Sequence, residues 1–305
     1  MRGGSDFALD MVLEKLIIEK LGTVGYFSYD FDGGVNLIKT NGRDEIAFAL
    51  RTVLNHKPPL VAACPIREGT RIAARAMIGG ERYLVVALPR GRGDKLSLKC
   101  FGEDGSDATA EYLRLTEHCI EQDDAESFSG EAESDSPRFL RYAEEKDAYE
   151  PRELSARTEG LSDIKAFRAY LRDFIKSFRP EDIREGKKYK IIMKGDGRYG
   201  ISYGDANEAR VFLSASEKLM FKYLCFLRTA EFWCGFEQMR NMHGIKKPLL
   251  VGGLLERLDE SIDLSRIIKR TASLERQVIV ITSRSEKREL EDLLKENQNG
   301  IFFGS

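Results

Sequence analysis

Ile17 to Ala47 reads IIEKLGTVGYFSYDFDGGVNLIKTNGRDEIA, and the order of its pieces decides the fold. From Val12 to Phe31, apolar and polar residues alternate on both sides of Gly22 to Gly25, the pattern of two antiparallel strands. Val35 to Ile38 reads as a buried strand that runs out into a loop at Thr40 to Gly42. After it, DEIAFALRTVLN sets Ile46, Ala49, Leu50 and Val53 on one helical face. Asp44 and Glu45 fall in the first turn, where the helix dipole favours acids. The local order is strand, tight loop, helix.

Outward from this stretch, further strands are expected at Thr70 to Ile78 and Tyr83 to Leu88, joined at Gly79-Gly80, and at Lys95 to Phe101. A helix over Thr109 to Ile120 closes the first half. Residues 121 to 160 hold thirteen acids against five bases, and EQDDAESFSGEAESDSP is Ser-rich and almost free of aliphatics. Such a stretch buries too little surface to offset its ordering entropy and reads as a mobile, acidic linker. Beyond it, Leu161 to Phe178 repeats apolar residues at helical steps, and KYKIIMKGDGRYGIS reads as a hairpin around Asp196-Gly197. A long apolar helix begins near Ser214. PLLV and QVIVITS, separated by IDLSRIIKRTASL, have the spacing of parallel strands with a crossover helix.

Composition narrows the function classes. The chain has 305 residues, 42% of them apolar, enough for a substantial core. No run of about 18 apolar residues and no basic-then-apolar leader occurs, so a cytoplasmic protein with no membrane contact is expected. Residues 1 to 10 read as an added or disordered start, with Met11 as the native beginning. Cys64, Cys100, Cys119, Cys225 and Cys234 form no CxxC pair, and His56, His118 and His243 lack metal-ligand spacing with a cysteine pair. Reduced, buried thiols are expected, and no metal. Outside the acidic segment the chain carries an excess of six positive charges, which permits nucleic-acid binding without arguing for it. Asp123, Asp124, Asp205, Glu208 and Glu237 have no partner residues at catalytic spacing.

Taken in order, these pieces resemble the α/β, P-loop NTPase-like ATPase head of the ABC class, in particular the RecF, SMC and YhaN-like proteins. The stretch IIEKLGTVGYFSYDFDGGVNLIKTNGRDEIA is similar to the opening of such heads, and LSASEK, Leu213 to Lys218, is similar to their signature LSGGEK. The resemblance implies a composite domain. Residues 11 to 120 would form a mixed or antiparallel lobe and residues 161 to 305 a lobe with parallel strands. The short acidic linker 121 to 160 replaces the usual coiled-coil insertion. In the signature, Leu213, Ser214, Ala215, Ser216, Glu217 and Lys218 would start a helix whose donors meet the γ-phosphate held by an opposite subunit. Ser214 and Glu217 equally form a capping box, which needs no ligand.

The same resemblance places losses at the nucleotide site. A phosphate loop needs G-x-x-x-x-G-K-[S/T], so that backbone N–H groups wrap the phosphates, Lys neutralises them and a hydroxyl holds Mg²⁺. In Lys39, Thr40, Asn41, Gly42, Arg43, Asp44, Glu45, Ile46 the loop is one residue short. Asp44 stands at the second glycine, Glu45 at the lysine and Ile46 at the hydroxyl. Leu258, Asp259 and Glu260 are similar to the D-loop, which puts Gly252 and Gly253 where the metal-binding Asp and general-base Glu would be. Glycines there also suit a plain strand-ending turn. Ser283 takes the position of the switch histidine.

Unit charges about 4 Å apart interact by about 4 kcal/mol at an effective dielectric of about 20, so turning a lysine into a glutamate removes an attraction and adds a repulsion of that order. The expectation is a pseudo-ATPase, with Asp44 and Glu45 filling the helix N-terminus that phosphate occupies in active relatives. It would serve as a scaffold or interaction module, with no cofactor and no ATP or Mg²⁺ bound. The alternatives are a subunit that completes the site of an active ABC-type ATPase partner, a dimer with itself, and a DNA-binding protein of RecF or SMC type.

Overall fold

The computed structural model describes residues 9–56, 64–90, 96–117, 127–129, 189–193, 199–203, 219, 223, 226–227, 245–258, 271–272, 274, 276–283 and 303–304. Its strands are β1 (Leu9–Leu21), β2 (Val24–Asp30), β3 (Val35–Lys39), β4 (Ile66–Ile78), β5 (Glu81–Pro89), β6 (Leu96–Gly102), β7 (Ser127–Ser129), β8 (Tyr189–Met193), β9 (Tyr199–Tyr203), β10 (Ile245–Lys246), β11 (Leu249–Gly252), β12 (Val278–Thr282) and β13 (Phe303–Gly304). Among the described residues, two helices have defined bounds, α1 (Arg43–Val53) and α2 (Thr109–Leu115).

One sheet has the order β10-β1-β4-β5-β6, with β2 also paired to β1. Its pairs are antiparallel except β1 with β10, where Leu9 and Asp10 run parallel to Ile245 and Lys246. The β4–β5 hairpin turns at Gly79 and Gly80, with φ of +59° and +95°, the left-handed pair that a two-residue turn of this hand demands. The second sheet, β13-β3-β12-β11-β7, is parallel throughout. Val35 to Ile38 of β3 are buried without alternation, as a strand covered on both faces must be. β8 and β9 form a separate antiparallel hairpin.

Helix α1 connects the two sheets. Ile46, Ala49, Leu50 and Val53 are fully buried and share one core with Leu13, Leu16 and Ile18 of β1, Ile72 and Ala74 of β4, and Ile279 and Ile281 of β12. Each such aliphatic side chain contributes about 1.5–3 kcal/mol on burial. Gln277, just ahead of β12, crosses from one sheet to the other. Its Oε1 accepts from the Leu13 N–H, and its Nε2 donates to the carbonyls of Leu13 and Asp32. Leu13 sits at a register shift in the β1–β4 pairing, so a side chain supplies the partners that an irregular ladder leaves open.

Several expectations change. β1 begins at Leu9 rather than Val12, because Leu9 and Asp10 find a partner in β10. β4 starts at Ile66, ahead of Thr70. α2 stops at Leu115 instead of reaching Ile120: the Thr116 hydroxyl donates back to the Tyr112 carbonyl at 2.7 Å and accepts from Asn55 Nδ2. The division of strands between lobes is less clean than expected, since β3 of the N-terminal half is central to the parallel sheet and β10 of the C-terminal half joins the other. Ser127–Ser129, inside the segment read as a linker, form a strand against β11. The rest of 121–160 and the helix expected at Leu161 to Phe178 lie outside the described residues. Leu219, Tyr223, Phe226 and Leu227, in the stretch expected to form a long apolar helix, are helical and buried. No helix among the described residues is long and apolar enough to cross a membrane.

Candidate functional site

In a parallel α/β sheet, ligands bind beyond the carboxyl ends of the strands. Here β3, β12 and β11 lie side by side and end at Lys39, Thr282 and Gly252. Three of the five expected motifs therefore converge at one end of the sheet: the loop 39–46, the switch position Ser283, and the glycine pair 252–253.

The loop uses its own donors. The Thr40 N–H donates to the Thr282 carbonyl at 2.9 Å, and the Gly42 N–H donates to Thr40 Oγ1 at 3.0 Å. Gly42 is the N-cap of α1, without a side-chain cap. A Cβ on Gly42 would lie 2.5 Å from Val24 Cγ2, so only glycine lets the loop lie this close to the start of β2.

Asp44 and Glu45 take different places, and neither simply fills the helix N-terminus. Asp44 is exposed, with Oδ1 3.4 Å from Arg43 Nε. The Glu45 carboxylate turns to the β1–β2 turn, where Oε1 accepts from the Thr23 N–H at 2.9 Å and the Thr23 hydroxyl at 2.7 Å. Burial pushes its pKa up, but the bonds from Thr23, with a smaller contribution from its own N–H, outweigh this and hold the carboxyl below its ordinary range. Ile46, which the resemblance set at a metal-holding hydroxyl, is fully buried in the core.

Gly253 has φ of +67°, a left-handed conformation that itself calls for glycine after β11. Gly252 ends β11 in register with Ile281. Ser283 donates its N–H to Glu256 Oε1 at 2.6 Å, with its hydroxyl at 3.4 Å. Leu258 is buried. Leu213 to Lys218, Asp259 and Glu260 lie outside the described residues, as do Cys119, Cys225, Cys234, His118 and His243.

Glu256 and Thr23 were not singled out by the sequence. Glu256 is the one acid between Gly253 and Asp259, which is the signal that marks it. Thr23 carries no motif. Cys64 and Cys100 are buried free thiols. Burial, reinforced by the charges of Glu45 and Asp44, pushes Cys64 up to about 11. Burial, with a smaller contribution from Asp107, pushes Cys100 up to about 12.

Compared with known proteins, no family model matches the chain and no curated protein does. Solved structures do. An Smc head domain with an extended coiled coil, from Pyrococcus furiosus and bound to the C-terminal domain of ScpA, aligns at TM-score 0.52 and 14% identity, over 96% of this chain and 93% of that one. An SmcHead bound to the C-winged helix domain of ScpA aligns at 0.51 and 16% identity, over 90% of each chain. The recombination mediator RecF with a bound nucleotide analogue aligns at 0.48 and 14% identity, over 92% and 95%. The chain thus has the fold of an Smc head domain.

Proposed function

We propose that this chain is a pseudo-ATPase, an ABC-type head that serves as a scaffold or interaction module and does not hydrolyse ATP. The observation that supports it most directly is Glu45. A working loop has a lysine ammonium at this position. Here a carboxylate, held ionised by Thr23, stands in its place. A like charge beside a triphosphate opposes binding by a few kcal/mol even at an effective dielectric of about 20.

Three further features agree. The Thr40 and Gly42 N–H groups are already satisfied inside the protein. Ile46 offers no hydroxyl to a metal. Gly252 and Gly253 carry no carboxylate, and none at 253 fits without backbone strain. The residues present therefore do not fit Mg²⁺-ATP, and no catalytic step is assigned to them.

What remains for such a head is to hold another protein. Two solved heads of this fold carry a bound domain of ScpA, and holding a partner requires no hydrolysis. A second reading rests on Leu213 to Lys218, which keeps the signature-like LSASEK while the loop for its own nucleotide has changed. In that case the chain completes the site of an active ABC-type partner. Isothermal titration of the full chain with Mg²⁺-ATP tests the first reading: no saturable heat is expected, and binding at micromolar concentration overturns it. ATP-dependent association with a co-purified ATPase would decide for the second.

A further inference from the structure

The contact between Glu45 and the β1–β2 turn has the form of a filled receptor. Thr23 aims two donors, its N–H and its hydroxyl, at one carboxylate oxygen. Gly22, with φ of +55°, presents a bare α-carbon to the same group: a Cβ there would lie 2.6 Å from Glu45 Oε1 and 2.7 Å from its Cγ. Paired donors beside a glycine that gives room for close approach are how a backbone turn receives an anion. The turn belongs to the antiparallel sheet, and Glu45 to the first turn of α1 directly after the phosphate loop.

We propose that the Gly22-Thr23 turn is a carboxylate receptor that the chain fills with its own Glu45, latching the loop and α1 onto the antiparallel sheet. The latch holds the loop against Val24, with the Glu45 carboxylate fixed beside it. This rests on the reading of the loop as one that does not take nucleotide, and it goes further by naming the group that closes it and the chemistry that could replace that group. With the Glu45 side chain cut back, a small carboxylate such as formate fits the vacated turn.

Thermal melts of the full chain in sodium formate and in sodium chloride at matched ionic strength test the latch. Glu45→Ala is expected to lower Tm by about 2–4 °C in chloride, the size expected for losing charge-assisted bonds worth about one hydrogen bond. Formate should then restore most of that loss in a saturable way while leaving the wild type unchanged. Equal melting of variant and wild type, or equal effects of formate and chloride on the variant, overturns the proposal. If Glu45→Ala does not fold, a cycle of Glu45→Gln and Thr23→Val decides. A double variant no less stable than the weaker single supports the latch, and additive losses overturn it. Mg²⁺-ATP titration of the same wild-type preparation keeps the two ideas apart: heat there defeats the pseudo-ATPase reading, whereas the cycle reports on Glu45 and Thr23 alone.

Discussion

Glu45 shows how one side chain can take part in both stability and specificity. Its folded pKa is lowered, so its contribution to stability is fully present above the ordinary glutamate range and is lost as pH falls through the folded value. Of its neighbours, Asp44 is exposed at 68% and Cys64 is a neutral thiol. Neither reverses that sign. Glu45→Gln should therefore flatten part of the decline in Tm as pH falls from neutral through the ordinary glutamate range and below it. Melting curves of wild type and variant across that range check it, and parallel declines count against an ionised Glu45. The acid at position 45 was legible in the sequence, and the resemblance to ABC-type heads is what set it at the expected lysine position. Its partner was not, because Thr23 lies 22 residues earlier on another element and only the folding of the hairpin brings it near.

At the level of elements, α1 and Gln277 hold the two sheets in register. The helix was legible: its four buried residues recur at helical spacing, and acids mark its first turn. Gln277 was not, since a polar residue before an apolar strand looks like a loop end. Its buried side chain makes three hydrogen bonds, two to the backbone of Leu13 and one to Asp32. Gln277→Leu should cost about 2–3 kcal/mol, because it leaves a buried Leu13 N–H and carbonyl without those partners. Urea unfolding with an unchanged m-value would show this as a lower midpoint. A loss below about 0.5 kcal/mol would mean that solvent or backbone readily replaces the amide. The early end of α2 has a similar origin, since Asn55 reaches Thr116 from a distant loop that helical periodicity does not register.

For the whole molecule, the positions that the pseudo-ATPase proposal reads as departures from a working site lie on three separate segments that meet only in the fold: the loop after β3, the turn after β11 and the end of β12. On that proposal, supplying two of the groups is not expected to produce turnover. A Glu45→Lys, Gly253→Glu double variant should release no phosphate from ATP above background. It should also melt below Gly253-containing protein, because a side chain at φ of +67° costs about 1–2 kcal/mol. A phosphate-release assay beside a melting curve reads both. Turnover in that variant would mean that the site is closer to working than its residues suggest.

What the sequence determined by itself is what repeats locally: the alternation of the β1–β2 and β4–β5 hairpins, the apolar run of β12, the helical face of α1, and the charge at Glu45. These follow from backbone geometry and from the identity of a residue at one place in a motif. Only the tertiary structure decided that β3 joins the sheet of β12 and β11, that Leu9 and Asp10 pair with β10, that Ser127–Ser129 add a strand, and that Glu45 ends on Thr23. Each of these is a contact between segments far apart in the chain, and no local pattern encodes which of several compatible partners a strand edge or a carboxylate will meet once the core has closed.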